Sequence, residues 1–204
     1  MIKTLIFDFG DVFINLNKEA TYTELNKLGI HSFSEEMLQI IKQYEIGVIT
    51  SHEFCDFYKN IFPNISVDQI VKSWNAIILD FPEYRLNFIE ELSKSKKYKL
   101  ILLSNTNELH IEKVIENMSI ERYKRFKNCF DSFYLSHEIN LRKPNAEIFE
   151  YVLKTHDLIA DECFFVDDTN EHTDIAKSLG IHIWNLNPET EDIINIFSLN
   201  KELF

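Results

Sequence analysis

Ile2-Lys3-Thr4-Leu5-Ile6-Phe7-Asp8-Phe9-Gly10-Asp11-Val12 is the stretch that decides the fold. Its first six residues form a short, mostly apolar run that stops at a carboxylate, Asp8. A short apolar run bounded by polar residues reads as a strand buried on both faces of a parallel sheet. Three more runs repeat the pattern further along. Residues 100–103 run into Ser104-Asn105, residues 163–166 into Asp167-Asp168, and residues 181–184 into Asn185. Residues 133–135 are a weaker fifth. Helical spacing fills the intervals. It appears over 82–95 with Phe88, Ile89 and Leu92 on one side, over 145–156 after Pro144, and over 173–179 up to Gly180, a natural C-cap. Strands alternating with helices predict an α/β fold, a Rossmann-like parallel sheet with helices on both faces.

Residues 18–80 break that alternation, for they show helical spacing and no strand. Leu25 and Leu28 close one helix at Gly29, and Ser34 ahead of Glu36-Met37-Leu38 opens a second. Ser51 and residues 54–61 suggest a third. Ser66-Val67-Asp68-Gln69 is a capping box for a fourth. The expected organisation is a core of residues 1–16 and 82–204 with a helical module, 17–81, inserted after the first strand.

Composition removes several functions. Four glycines and four prolines in 204 residues make about 4 %, against a usual share of roughly 12 %. No glycine pair has the spacing of a dinucleotide fingerprint, a P-loop or a serine-hydrolase elbow. The net charge of −12 argues against nucleic acid and anionic membranes as partners. A phosphorylated substrate would need help from a cation or a lysine. The three cysteines stand far apart and read as buried thiols of a reducing, cytoplasmic compartment. No secretory leader is expected from the first residues, and no stretch of about 18 apolar residues suggests a membrane span.

In an open parallel sheet, ligands bind beyond the carboxyl ends of the strands. Asp8, Ser104, Asn105, Asp167 and Asp168 all fall there, and Lys143 precedes Pro144 at a helix start. Singly, each has an ordinary reading. The aspartates suit turns or helix caps, Ser104 suits an N-cap, and Lys143 suits a solvated surface. Together they put three carboxylates, a hydroxyl, an amide and an ammonium in one small volume. Three carboxylates repel one another without a cation, and Mg²⁺ is the hard, oxygen-loving cation that suits them. Asp8 could then attack a phosphomonoester in line and form an aspartyl-phosphate. Lys143, Ser104 and the metal would spread the phosphoryl charge. The seven histidines show no metal spacing, and His172, close to the acidic pair, is the one to watch.

At these residues the chain resembles the haloacid dehalogenase (HAD) superfamily of phosphatases. The motifs are Leu5-Ile6-Phe7-Asp8-Phe9-Gly10-Asp11-Val12, Leu102-Leu103-Ser104-Asn105-Thr106-Asn107, Arg142-Lys143-Pro144 and Phe164-Phe165-Val166-Asp167-Asp168. They stand in family order, and the resemblance covers residues 2 to about 190. The region 18–80 is similar to the family's small helical (C1-type) cap, and Tyr44-Glu45-Ile46-Gly47-Val48-Ile49-Thr50 is similar to a cap hairpin. Residues 103–110 and 134–144 look most like bacterial phosphatases of sugar phosphates such as α-glucose 1-phosphate. The resemblance implies Asp8 as nucleophile and metal ligand, with the Gly10 carbonyl as a second ligand. It implies Asp168 as the main carboxylate of the fourth motif, with Asp167 beside it. Ser104 and Asn105 would hold phosphoryl oxygens, and Lys143 would bridge nucleophile and phosphate.

Two departures stand out. The family usually carries a second Asp two residues after the nucleophile, where it protonates the leaving oxygen. Gly10 occupies that place here, and Asp11 lies one residue later. Asp11, a cap residue or water must take the role, or the enzyme must favour good leaving groups. His172 stands where Asn is expected. Two alternatives keep the fold: a weak or inactive HAD-fold binding protein, and a metal-independent 2-haloacid dehalogenase. The acidic pair Asp167-Asp168 speaks against the dehalogenase, because it would hinder carboxylate substrates.

Overall fold

The computed structural model describes residues 1–204. Its centre is a five-stranded, all-parallel sheet of β1 (Thr4–Phe7), β2 (Lys99–Ser104), β3 (Ser132–Leu135), β4 (Cys163–Asp167) and β5 (His182–Asn185), in the order β3-β2-β1-β4-β5. The expected α/β architecture is therefore observed. The weak fifth run, 133–135, is an edge strand, and its half-buried side chains explain the faint pattern. The three central strands are buried on both faces.

Alternate residues of those strands enter two different cores, as the two-residue period requires. Leu5, Phe7, Leu100, Leu102, Phe164 and Val166 face one side. There they meet α5 (Glu83–Ser95), α6 (Glu108–Met118), α7 (Ile120–Lys127) and the C-terminal α11 (Ile196–Leu199). Ile6, Ile101, Leu103 and Phe165 face the other side, against α9 (Ala146–Thr155) and α10 (Asn170–Ser178).

Between β1 and α5 lie α1 (Ala20–Lys27), α2 (Glu35–Glu45), α3 (Ser51–Ile61) and α4 (Val67–Trp74), followed by a 3₁₀ turn over Asn75–Ile77. Ser34 caps α2 through the Met37 N–H, and Thr50 and Ser66 form full capping boxes on α3 and α4. These helices have a core of their own, with Tyr44, Phe54, Tyr58 and Trp74 at its middle. Leu109 of α6 also joins that core and ties the inserted helices to the sheet domain.

The segment Tyr44–Thr50 is the last two residues of α2 and the turn that joins it to α3, and it rests on the start of α8 (Ser136–Ile139). Ser136 Oγ donates to the Glu45 carbonyl at 2.6 Å and Asn140 Nδ2 donates to the Ile46 carbonyl at 2.7 Å. Gly47 has a φ of +67°, and a Cβ built there would stand 2.0 Å from the His137 carbonyl oxygen. Only glycine allows both the left-handed backbone and so close an approach.

Candidate active site

The carboxyl ends of β1, β2 and β4 lie side by side, because β1 pairs with both of the others. The chain after β1 moves toward β2, whereas β4 returns on the opposite side of β1. The crevice at such a reversal is where an open α/β sheet binds its ligands. Asp8 follows β1, and its N–H donates to the Val166 carbonyl of β4 at 2.9 Å. Asp167 ends β4, and Asp168 follows. One carboxylate oxygen from each of Asp8, Asp167 and Asp168 lies within 4.8 Å of the others.

Lys143 is fully buried among these groups. Its Nζ donates to Asp8 Oδ1 at 2.8 Å and to Asp167 Oδ2 at 2.6 Å. A buried lysine survives only when its charge is paired. Here two carboxylates and the face of the Phe165 ring, 5.3 Å away, surround it. Burial opposes the charge, but Asp167 and Asp8 outweigh it and raise the Lys143 pKa. Burial is also the largest influence on Asp8, and its pKa rises to about 6 because Lys143 only partly offsets it and Asp167 adds repulsion. Burial pushes Asp167 upward too. Lys143 and His172 more than compensate and hold Asp167 down at about 2. Asp167 also accepts from the Thr169 N–H at 2.8 Å and from His172 Nδ1 at 3.0 Å. His172 thus serves as a donor that fixes Asp167.

The Asn105 side chain holds the backbone of Lys143. Its Nδ2 donates to the Lys143 carbonyl at 2.8 Å, and its Oδ1 accepts from the Lys143 N–H at 2.9 Å. The amide thus holds the lysine segment in place through both its nitrogen and its oxygen. Ser104, at the end of β2, is buried, with only a long contact of 3.5 Å from its Oγ to the Asn105 carbonyl.

Asp11 has a φ of +52° and is buried. Its Oδ1 accepts from the Leu16 N–H at 2.9 Å, and its Oδ2 pairs with Lys18 Nζ at 3.1 Å. Lys18 also pairs with Asp168. Composition and spacing carried no sign of Lys18, since it lies outside every motif. Gly10 lines the crevice, and a Cβ there would meet the flexible end of Leu16 at 2.7 Å.

Four carboxylates, Asp8, Asp11, Asp167 and Asp168, answered by two ammoniums, Lys143 and Lys18, leave an excess of negative charge. All the donors are hard oxygens, which suits Mg²⁺, an ion that keeps some of its waters and takes one or two carboxylates plus a phosphate oxygen. The residues present therefore fit that ion. Next to them is a cavity of about 210 Å³ lined by Gly10, Ser104 to Asn107, His110, Glu45, Trp74 and the apolar side chains Ile14, Leu16, Ile41 and Ile77. It lies where the inserted helices meet the sheet domain.

One wall of the cavity is a locked polar network. Asn107 Oδ1 accepts from the His110 N–H at 3.1 Å and from Trp74 Nε1 at 3.3 Å. His110 stacks on Trp74 with ring centroids 5.3 Å apart, and its Nε2 donates to the Trp74 carbonyl at 3.2 Å. Burial lowers the His110 pKa to about 4, so this imidazole is neutral at physiological pH. Neither Trp74 nor His110 could be found from motifs, because their meeting depends on how the inserted helices dock.

Known proteins are similar to this chain over nearly its whole length. A structure of a HAD family enzyme from Bacteroides thetaiotaomicron, complexed with magnesium and inorganic phosphate, superposes with a TM-score of 0.82 at 33 % identity and covers 97 % of this chain and 100 % of that one. A HAD-like family hydrolase from Porphyromonas gingivalis has a TM-score of 0.81 at 25 % identity and covers 100 % and 98 %. The D-ribitol-5-phosphate phosphatase of B. thetaiotaomicron is 27 % identical over 186 residues, covering 88 % of this chain and 89 % of its own. The family profile of the haloacid dehalogenase-like hydrolases matches residues 2–180. With nearly the whole chain matched and the acidic crevice in place, the protein belongs to the haloacid dehalogenase-like hydrolase family.

Proposed function

We propose that this protein is a Mg²⁺-dependent phosphatase of a small polyol or sugar phosphate, acting through an aspartyl-phosphate on Asp8. The observation that carries the reading is the fully buried Lys143 held between Asp8 and Asp167, beside the three-carboxylate cluster. Mg²⁺ bound by Asp8, Asp168 and the Gly10 carbonyl, with Asp167 as ligand or support, would neutralise the carboxylates and polarise the phosphoryl group.

The chain's own residues then divide the work. One Asp8 oxygen attacks phosphorus as the bond to the leaving oxygen breaks. Lys143 faces both the nucleophile and the transferring oxygens, and Ser104 Oγ donates to one of them. Asn105 positions Lys143 through its backbone. Water then attacks the aspartyl-phosphate, releases inorganic phosphate and restores the Asp8 carboxylate.

The leaving oxygen takes its proton from water, in the absence of an acid at Gly10. Asp11 is best understood as a clamp, because both of its oxygens already hold the loop that follows Gly10 and the Lys18 ammonium. A site without a built-in acid favours leaving groups that depart easily, such as a sugar 1-phosphate. The relative from Bacteroides supports a polyol 5-phosphate. A cytoplasmic site of action agrees with three buried, unpaired cysteines, and no helix is long and apolar enough to cross a membrane.

Release of phosphate from ribitol 5-phosphate and α-glucose 1-phosphate, with and without Mg²⁺, tests the reading. Mg²⁺-dependent turnover of either supports it. Turnover that survives EDTA, or halide release from 2-haloacids, overturns it.

A further inference from the structure

The chain leaves the sheet domain and returns to it through two segments that run side by side. The Asn15 N–H donates to the Asp80 carbonyl at 2.9 Å, the Leu79 N–H to the Asn15 carbonyl at 3.1 Å and the Asn17 N–H to the Ile77 carbonyl at 2.9 Å. Leu16 and Ile78 pair across this antiparallel ribbon. So short a ribbon is marginal by itself. On one side it borders an open cleft of about 570 Å³, with Pro188 and Glu189 in the opposite wall. Its firm tie is Asn15. The Asn15 Nδ2 donates to Asp80 Oδ1 at 3.0 Å, and its Oδ1 accepts from Arg85 Nη1 at 2.9 Å.

Arg85 stands in the first turn of α5, and its side chain is only 7 % exposed. The same Nη1 donates to the Phe13 carbonyl at 3.3 Å, in the loop that starts at Asp8. Nε and Nη2 both donate to Asp192 Oδ2, at 3.0 and 2.9 Å. Asp192 is itself held. Its Oδ1 accepts from the Ile194 N–H at 3.2 Å, and the buried Ile193 and Ile196 seat that segment in the core beneath the sheet. A buried guanidinium needs a paired carboxylate. Its planar fork can serve Asp192 and the ribbon at once, which an ammonium cannot.

Resting on the phosphatase reading above, we propose that Arg85 and Asp192 are positioning residues for that reaction. They form a brace from the C-terminal segment that fixes the hinge of the inserted helices and the loop behind Asp8, so that the inserted helices close over the nucleophile in one orientation. Neither residue lines the cavity beside Asp8 or belongs to the acidic cluster. They act through Asn15 and the Phe13 carbonyl. Hinges are the few residues that absorb domain closure, and a change in what holds them alters kcat and KM together.

The test uses the full chain with Arg85→Lys and Asp192→Ala. Tyr84→Phe is the control, since Tyr84 donates to the same Asp192 oxygen at 2.7 Å and makes no hydrogen bond to the ribbon. Hydrogen exchange should show the Asn15, Asn17 and Leu79 amides opening about tenfold faster in the first two variants, with α9, on the far face of the sheet, at its wild-type rates. Turnover of ribitol 5-phosphate with Mg²⁺ should fall in kcat by about tenfold, with KM raised. A smaller folded fraction lowers apparent kcat and leaves KM alone, so the rise in KM separates positioning from stability. Tyr84→Phe should match the wild-type protein in both measurements. Ribbon amides that are unchanged, or that speed up only as much as those of α9, overturn the brace. So does a wild-type KM in both variants, or the same changes in Tyr84→Phe. If the wild-type protein releases no phosphate from any phosphomonoester with Mg²⁺, the phosphatase reading fails, and the catalytic half of this one with it. The exchange rates then decide by themselves whether Arg85 and Asp192 hold the hinge.

Discussion

Asp8 and Asp167 share one ammonium unequally. Asp167 also holds Thr169 and His172 and stays ionised far into acid, whereas Asp8, raised to about 6, is the carboxylate that takes a proton first. A metal ion needs Asp8 ionised, so proton and Mg²⁺ compete. The sign follows directly: as pH falls through about 6, Asp8 is neutralised and Mg²⁺ affinity drops, by about tenfold per pH unit below that point. Calorimetric titration of Mg²⁺ between about pH 7 and pH 5 reads this. A flat affinity would show that Asp8 is not a ligand. Asp11 gives a second expectation at this scale. If it clamps the loop, Asp11→Asn lowers kcat on a poor leaving group less than about tenfold, well short of the 10²–10⁴-fold loss that follows removal of a general acid. A loss in that larger range would make Asp11 the proton donor.

Among the elements, the α2–α3 turn carries the most consequence for its length. Its glycine is required twice, by a positive φ and by the approach to His137. Gly47→Ala should therefore cost more than the roughly 1–2 kcal/mol of a left-handed alanine, and should lift Glu45 away from the cavity. A lower melting temperature together with a raised KM is expected. An unchanged KM would mean that the turn does not shape the site. This turn also shows what the sequence can disclose about an element. The caps at Ser34 and Ser66 and the stop at Gly29 were legible, since each is a local hydrogen-bonding rule, whereas the box at Thr50 emerged only in the structure. The helices α6 and α7, between β2 and β3, were not. In α7 only Tyr123 and Phe126 are buried among six other side chains, and Ser119 divides the two helices with a φ of +74°.

Over the whole molecule, the tail of the chain is tied to the loop that follows the nucleophile. Arg85 of α5 is buried and donates to the Phe13 carbonyl, to Asn15 Oδ1 and, through Nε and Nη2, to Asp192. Asp192→Ala leaves that guanidinium without its carboxylate and should cost about 2 kcal/mol, or about 4–8 °C in Tm at this chain length. Thermal unfolding checks it, and an unchanged Tm would show that the clamp adds nothing. Such a tie is invisible in sequence, because its partners are 107 residues apart and neither belongs to a motif. The sheet was legible because Leu5 to Phe7, Leu100 to Leu103 and Phe164 to Val166 are buried on both faces and must be apolar throughout. The acidic cluster was legible because topology alone brings strand ends together. The cavity wall of Glu45, Trp74 and His110 was not, since it depends on how two packed bodies meet. The Asn105 side chain holds the Lys143 backbone, a contact no residue spacing reveals.

The central claim is that Asp8 is the nucleophile of a Mg²⁺-dependent phosphomonoesterase, and one measurement bears on it most directly. Phosphate release from ribitol 5-phosphate is followed for the wild-type protein and Asp8→Asn, each with Mg²⁺ and with EDTA, alongside circular dichroism of both. The account predicts turnover only for the wild-type protein with Mg²⁺, and a folded Asp8→Asn that releases no phosphate. Retained turnover in folded Asp8→Asn would contradict it.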